Sequence, residues 1–319
     1  MTAPSSLAIP VVNLDDFVSG SPQARAQFIR TLGGGLKEFG FITVGRHGID
    51  LGLIRDAYRL FAELFALDDA TKQKYSGIKG GQRGYTGFGV EHAKDHPVGD
   101  LKEFWHIGPE LPAGHRYASV YPANVWPSEL PELKRVTTTL FSQLNTCVAS
   151  ILHALADYFE LPRDTFSKMA VDGNSVMRAI HYPPLPADAD PRAVRAAAHE
   201  DINLITVLCE ATSSGLELLT RSGEWMAIDA LEGQIVVDAG DMLQRVTNYV
   251  IPATTHRVVN PPGDANLPRY SLPFFVHPYP ECVLEALPCC VTPDNPAKYP
   301  PITADEFLNE RLREIGLLK

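Results

Sequence analysis

The sequence predicts an α+β protein with a mainly β core: an antiparallel sandwich or barrel carrying a helix-rich N-terminal half. Three observations lead there. From Asn174 onward, short runs (SVMRAIHY, NLITVLCE, GLELLT, EWMAID, GQIVVD, MLQRVT, HRVVN and RYSLPFFV) alternate with Gly, Pro, Asn and Asp, as strands separated by turns do. Before residue 170, apolar residues recur at helical spacing instead. A length of 319 residues with 45% hydrophobic content is enough to bury a large core. Residues 1–170 therefore read as a helix-rich region with the first strands and a long bracing helix, and residues 171–319 as the β core with a C-terminal helix. The junction is not expected to be a cleavable linker, because the long helix should pack directly on the sheet.

Residues 7–14, LAIPVVNL, suit a first strand. Ser21-Pro22 then offers an N-cap followed by a proline at the first helical position, and Phe28, Leu32, Leu36 and Phe39 follow at helical spacing until Gly40. Gly33-Gly34-Gly35 inside this helix costs about 1 kcal/mol per glycine relative to alanine, so close packing on a neighbour should compensate. The triplet is not a phosphate loop, since no Lys-Ser/Thr follows it. FGFITVGRHG (39–48) reads as a strand. Asp50 caps a helix bearing Leu53, Ala57, Phe61, Leu64 and Phe65. Residues 76–100, with seven glycines, read as a long loop in which Arg83, Tyr85, Phe88 and His92 form either a lid or a plain surface. GDLKEFWHIG (99–108) should enter the sheet. Ser128 opens the longest helix, to about Glu160, with Leu133, Val136, Leu140, Leu144, Val148, Ile151, Leu155 and Phe159 as its core stripe.

A net charge of −10 without a basic run argues against nucleic acid and anionic membrane as partners. MTAPSSLAIPVVNL lacks a basic n-region and a long apolar segment, and no run approaches the roughly 20 residues of a membrane span, so the expected location is cytoplasmic. Five cysteines without CxxC spacing read as reduced, partly buried small residues.

His199 and Asp201, in HED, are two residues apart, so on an extended segment both side chains leave the same face. With His256, in THRVVNP, they make two imidazoles and one carboxylate, the donor set of a facial triad for Fe(II) with three coordination positions left open. HxD alone is weak: ten histidines give about half a match by chance, and an isolated histidine is more often a hydrogen-bonded surface or core residue. Arg269 and Ser271, in RYS, strengthen the reading. They too share a strand face, and a guanidinium fork with a hydroxyl beside it suits a carboxylate.

The ordered set HED…H…RYS, together with IPVVNL, FGFITVGRHGI, DLKEFWHIG and GDMLQRVTN, resembles the isopenicillin N synthase-like family of Fe(II)/2-oxoglutarate-dependent oxygenases over nearly the whole chain. The resemblance implies a distorted double-stranded β-helix (jelly roll) flanked by helices. It implies that His199, Asp201 and His256 ligate Fe(II), and that Arg269 and Ser271 hold the distal carboxylate of 2-oxoglutarate. Tyr182, in AIHYPP, matches a family tyrosine that contacts this co-substrate. O2 is the second co-substrate, and succinate and CO2 leave as a small-molecule substrate is hydroxylated, desaturated or cyclised. Two positions depart from the family pattern. Ile180 stands where many members carry Asn, with Arg178 as a polar group that could substitute, and Asp238 stands where Asn is common.

Three other readings differ in kind. An oxidase or cyclase would use the same iron without 2-oxoglutarate. A zinc hydrolase would share the ligand set but has no use for RYS. A binding module would tolerate loss of His256. Arg83, Tyr85, Lys102, Phe104, Trp105, Arg178, Gln244, Asn248, Phe275 and His277 are candidate pocket residues, and several inward basic groups would favour a carboxylated substrate. Residues 304–319 are amphipathic enough to pack on their own domain or a neighbour; the sequence fixes no oligomeric state.

Overall fold

The computed structural model describes residues 8–78, 81–90, 101–184, 194–228, 233–260 and 266–314. The chain starts with β1 (Val11–Asn13), then turns at once into a short helix, α1 (Leu14–Val18), which buries Leu14 and Phe17. Helix α2 (Pro22–Phe39) is capped as expected: the Ser21 hydroxyl accepts from the Ala24 amide, and Gly40 closes the helix at φ +68°. The glycine triplet has a packing reason at two of its positions. A Cβ on Gly33 would lie 2.2 Å from the Tyr158 ring and one on Gly35 would lie 2.7 Å from Ile42, whereas Gly34 faces open space. Strand β2 (Phe41–Gly45) leads to α3 (Leu51–Phe65), N-capped by the Asp50 carboxylate, and to α4 (Asp69–Gln73).

The reading of residues 76–100 as one long loop is corrected in part. Gly84–Thr86 forms β3, which pairs with β4 (Glu103–Ile107) at the end of the main sheet. Arg83 and Tyr85 are buried rather than lid residues. The Arg83 guanidinium donates to Asn174 Oδ1 at 2.6 Å, and the Tyr85 hydroxyl donates to Glu103 Oε2 at 2.6 Å. Phe88 is exposed, and His92 lies outside the described residues.

Helix α5 spans Glu132–Tyr158 and begins four residues later than Ser128. Pro131 explains the delay, because it lacks an N–H and disfavours helical geometry at Leu130. Its expected stripe is buried from Leu133 to Leu155, along about 33 Å of helix, and Phe159 falls just past the helix end. After α6 (Ser167–Ala170) come β5 (Val176–Tyr182), β6 (Ala196–His199), β7 (Ile205–Cys209), β8 (Leu216–Leu219), β9 (Trp225–Ala227) and β10 (Gln234–Ala239).

MLQRVT, expected as a strand, is instead helix α7 (Asp241–Val246). Gly240 and Asp241 form its N-terminal end, and Met242, Leu243 and Val246 bury one helical side. A run this short carries no period long enough to separate the two structures. The chain ends with β11 (His256–Val258), β12 (Arg269–Val276), β13 (Val283–Leu284), β14 (Ile302–Thr303) and α8 (Ala304–Glu314), which buries Ala304 and Phe307.

Two sheets face each other. The eight-stranded sheet has the order β1-β2-β10-β7-β12-β5-β4-β3, and the four-stranded sheet β6-β11-β8-β9. All pairings are antiparallel except β1 with β2. This is the jelly roll flanked by helices. Strands from both sides of residue 170 share the large sheet. One face of that sheet joins α2, α3 and α5 in a single apolar core through Met177, Ile205, Val207, Val237, Leu272 and Phe274. The alternate residues turn to the small sheet and line a cavity.

The three glycines make a test of helix packing. Gly34→Ala should raise stability by about 0.5–1 kcal/mol in urea denaturation, since it adds helix propensity without contact. Gly33→Ala should lower it by about 1–3 kcal/mol, because the Tyr158 ring must move.

Candidate active site

The cavity lies between the two sheets, and register assigns its walls. Across the large sheet, Arg178, Ile180 and Tyr182 from β5 lie beside Arg269, Ser271, Pro273 and Phe275 from β12, with Thr206 and Leu208 from β7 and Val236 and Asp238 from β10 beyond them. The small sheet contributes Ala196, His199, Leu216, His256 and Val258. His256 is directly opposite His199 in the β11–β6 pairing, so two residues far apart in sequence meet at one end of the cavity.

Asp201 completes a cluster whose potential ligand atoms all lie within 4.8 Å of one another, the only such group of three among the described residues. Its Oδ1 lies 3.8 Å from His199 Nε2 and 3.9 Å from His256 Nε2. Each imidazole is oriented from behind: His199 Nδ1 faces the Ala197 carbonyl at 2.7 Å and His256 Nδ1 the Thr254 carbonyl at 3.1 Å. A carbonyl can only accept, so Nδ1 carries the hydrogen and Nε2 presents its lone pair to the centre. Asp201 sits on a turn held by α7, whose first amides donate to the carbonyls of Asp201 at 2.7 Å and Ile202 at 3.2 Å. Gly240 is needed there, since a Cβ would lie 2.2 Å from the Asn203 carbonyl oxygen.

Burial, reinforced by the neighbouring His256, pushes His199 down to about 4, so it is a neutral donor at physiological pH. For Asp201, burial opposes ionisation, but the two imidazoles and the Thr206 hydroxyl outweigh it and hold the carboxyl below its usual range. Asp238 goes the other way. Burial and then the adjacent Asp201 carboxylate, to which it is hydrogen-bonded, raise it well above the carboxylate range. A neutral acid can donate a hydrogen bond as an Asn amide would, which gives a physical account of the replacement seen in the sequence. This donor set (two imidazole nitrogens and one carboxylate oxygen converging on a point) fits a divalent transition metal.

The opposite end of the cavity is cationic. Arg269 is fully buried on β12, and its Nε donates to the Ser213 carbonyl at 3.1 Å. Its Nη1 has no hydrogen-bond partner among the described residues. Its guanidinium carbon lies 5.1 Å from the centre of the Tyr182 ring, and Ser271 follows two residues on along the same wall. A buried guanidinium nitrogen with donor capacity to spare, a hydroxyl and an aromatic ring together fit a carboxylate. Arg195, which the sequence reading did not single out, is a second buried cation beside Arg269.

Of the other candidates, Lys102, Arg178 and Phe275 line the cavity. Arg178 donates from Nε to His106 Nε2 at 2.5 Å and lies over the Phe104 and Phe275 rings. Phe104 packs in the apolar cluster behind Ile180. His277 is not among the lining residues, and its buried Nδ1 has no partner among the described residues. Trp105 and Tyr85 belong to the helix-side core. Gln244 and Asn248 are corrected to structural roles: Gln244 Oε1 accepts from the Ala253 amide, and Asn248 Nδ2 donates to the carbonyls of Cys290, Asn295 and Pro296. Thr206 and Asn203 were not anticipated, because a hydroxyl and an amide beside HED carry no ligand signal until the fold brings them behind the carboxylate.

Residues 173–278 match the family described as the 2OG-Fe(II) oxygenase superfamily, and residues 9–129 match the one described as non-haem dioxygenase in morphine synthesis N-terminal. A 2-oxoglutarate-dependent dioxygenase of Aspergillus flavus is 30% identical, covering 95% of this chain and 93% of its own. A 2OG-Fe(II) oxygenase family protein of Caulobacter crescentus superposes with a TM-score of 0.88 at 43% identity, covering 98% of this chain and 100% of its own. A Neurospora crassa protein solved in complex with alpha-KG superposes with a TM-score of 0.87 at 27% identity, covering 98% of each chain.

Burial also pushes His277 down to about 4. Between about 6.5, its unfolded value, and about 4 the unfolded chain therefore binds the extra proton, and stability falls as pH falls. Asp241, raised to about 6 chiefly by burial, acts in the opposite sense, so the difference between variants is the useful readout. Wild type should lose on the order of 2 kcal/mol relative to His277→Asn between pH 6.5 and pH 4, measured by urea denaturation of metal-free protein.

Proposed function

The chain belongs to the 2OG-Fe(II) oxygenase superfamily, and from that premise we propose a role for each group of the site. The protein is a non-haem Fe(II)- and 2-oxoglutarate-dependent oxygenase of small molecules. In the proposed reading His199, Asp201 and His256 hold Fe(II), Arg269 and Ser271 hold the distal carboxylate of 2-oxoglutarate, and Tyr182 contacts that co-substrate. One observation carries this: a cavity with an imidazole and carboxylate cluster at one end and, at the other, a buried arginine whose Nη1 has no partner among the described residues. With both groups bound, the chemistry supplied is oxidation of a substrate C–H by O2, coupled to conversion of 2-oxoglutarate to succinate and CO2.

The protein's own contribution is positional. Backbone carbonyls fix both imidazoles so that Nε2 faces the metal without a proton to displace. Arg269 neutralises a carboxylate in a site walled by Ile180, Leu208, Leu216, Val236 and Val258, where little water competes. Tyr182 and Arg269 are direct partners in the β5–β12 register, so that end of the cavity is built on paired strands rather than loops. Asp201 and the two imidazoles are likewise bound to strands or to the α7 turn.

For the substrate, a small acid is the class we favour. Lys102 and Arg178 put two cations in the cavity wall, and Phe275 beside Arg178 offers an apolar ring. Both cations also interact within the protein, so a substrate anion joins an existing polar arrangement. The Neurospora crassa relative was also solved with alpha-KG and thymine, at 26% identity, which makes a planar polar heterocycle the natural comparison compound. A net charge of −10 favours a small molecule over nucleic acid or a membrane surface. Among the described residues no helix is long and apolar enough to cross a membrane. A cytoplasmic location, proposed on the same footing, fits five free cysteines.

Anaerobic addition of Fe(II) and then 2-oxoglutarate should give a weak visible charge-transfer band that is absent in His256→Ala. In Arg269→Ala the band should need roughly 100-fold more 2-oxoglutarate, since one partner of a buried charge pair is gone. An unchanged requirement would remove Arg269 from the co-substrate site. For the substrate, aryl and alkyl carboxylates should stimulate succinate release more than their primary amides or thymine. Equal or greater stimulation by the neutral compounds would sink the acid assignment.

A further inference from the structure

The side of Asp201 that faces away from the imidazoles shows how the carboxylate is kept in one ligation mode. A carboxylate can bind a metal through one oxygen or two. In an octahedral site with two imidazoles, one-oxygen binding leaves three positions, enough for a two-point 2-oxo acid and O2. Two-oxygen binding leaves only two. The outcome therefore depends on what holds the second oxygen.

In this protein Asp201 Oδ1 is the oxygen within 3.8 and 3.9 Å of the two Nε2 atoms, and Oδ2 accepts a short hydrogen bond from the Thr206 hydroxyl. Thr206 is 2% exposed and lies in the middle of the large sheet, paired with Asp238 on one side and Phe275 on the other. Its own lone pair is occupied: Asn203 Nδ2 donates to Thr206 Oγ1 at 3.1 Å and to the Ile205 carbonyl at 2.6 Å. Asn203 Oδ1, at 3.3 Å, is a second acceptor in reach of the hydroxyl, but the contact to the ionised Asp201 Oδ2 is the shorter one, and with the Asn203 amide supplying a hydrogen from one side the hydroxyl hydrogen points to Asp201. A β-branched side chain in a strand has few χ1 alternatives, so the hydroxyl stays in place.

We propose that Thr206 is a positioning residue that confines Asp201 to single-oxygen ligation, with Asn203 setting the direction of its hydroxyl. The inference rests on the reading of His199, Asp201 and His256 as iron ligands. Thr206→Val keeps shape and burial but removes the hydroxyl donor to Oδ2, leaving Asp238 as the remaining side-chain donor to Asp201 and Oδ2 able to turn to the metal at the expense of a position 2-oxoglutarate needs.

The test separates two affinities. Fe(II) binding is measured by competition with a fluorescent chelator, and 2-oxoglutarate binding by the anaerobic charge-transfer band, in wild type, Thr206→Val, Thr206→Ala and Thr206→Ser. The expected result is 2-oxoglutarate binding weakened on the order of 10–100-fold in the Val and Ala variants, with Fe(II) binding held or tightened and Ser close to wild type. Unchanged 2-oxoglutarate binding in the Val variant overturns the proposal. So does parallel loss of both ligands in all three variants, or failure of both Val and Ala to fold, since Thr206 would then act only on the structure. Absence of the band in wild type itself would instead overturn the ligand assignment.

Discussion

Everything in the site depends on a sheet that is buried on both faces. Such a sheet cannot send its polar groups to water, so each strand must sort them residue by residue between two unlike interiors. β7 alternates Ile205, Val207 and Cys209 toward the helices with Thr206 and Leu208 toward the cavity, and β12 alternates Leu272, Phe274 and Val276 with Arg269, Ser271, Pro273 and Phe275. A slip of one residue would put Thr206 and Ser271 into the apolar core and leave the cavity without its hydroxyls. Apolar burial by α2, α3 and α5 on the far face therefore sets the chemistry on the near face. Five successive register pairs join β10 to β2, and another five join β12 to β7.

The polar cluster inside the cavity carries a cost that the fold must offset. Burying a carboxylate and two imidazoles is unfavourable unless each is hydrogen-bonded. Here the Ala197 and Thr254 carbonyls serve the imidazoles and the Thr206 hydroxyl and Asp238 serve the carboxylate, while the α7 amides hold the backbone of the turn that carries Asp201. Among the described residues Arg269 is only partly satisfied, with Nε on the Ser213 carbonyl. A group whose last partner is a ligand gives up some folding stability to binding, and ligand binding returns it to the folded state. A second buried acid shows the contrasting case. Glu103, on the helix side, is closed off by Lys72 at 2.9 Å, Tyr85 at 2.6 Å and His181 at 2.7 Å, all within the protein, and ties together edge elements rather than binding anything.

Some of this was legible in the sequence because it follows from local geometry alone. Residues two apart on a strand share a face whatever the tertiary structure, so HED and RYS could be read as paired side chains before any fold was known. The α5 stripe and the Ser21, Asp50 and Gly40 caps are likewise short-range features. What stayed hidden depends on contacts distant in sequence. Arg83 is buried through Asn174, 91 residues away, and Asn248 through the segment around Cys290 and Asn295. Polar side chains in glycine-rich or turn-rich stretches look like surface or site groups until such partners appear. MLQRVT was misread for another reason: six residues satisfy either period, and only the Asp201–Asn203 turn received by its N-terminal amides settles it as a helix.

Asp238 shows that a residue's sequence identity and its charge in the fold can part company. Read as a letter, Asp in a position where the family resemblance leads one to expect Asn adds a negative charge next to a proposed iron ligand. Two ionised carboxylates in contact, both buried, would repel strongly, and the second would compete for the metal. In the metal-free protein burial and the Asp201 charge instead raise Asp238 well above the carboxylate range, which favours its acid form, a donor to Asp201 in the same sense as an amide. The metal end of the cavity then carries a single carboxylate charge, with Thr206 and Asp238 both committed to it. In the proposed reading a single carboxylate ligand would leave a bound divalent ion with net positive charge, which suits an incoming dianionic 2-oxo acid. On the same reading Arg269 at the other end would meet the second charge of that acid, so the site would divide the dianion between two cations held apart by the apolar wall.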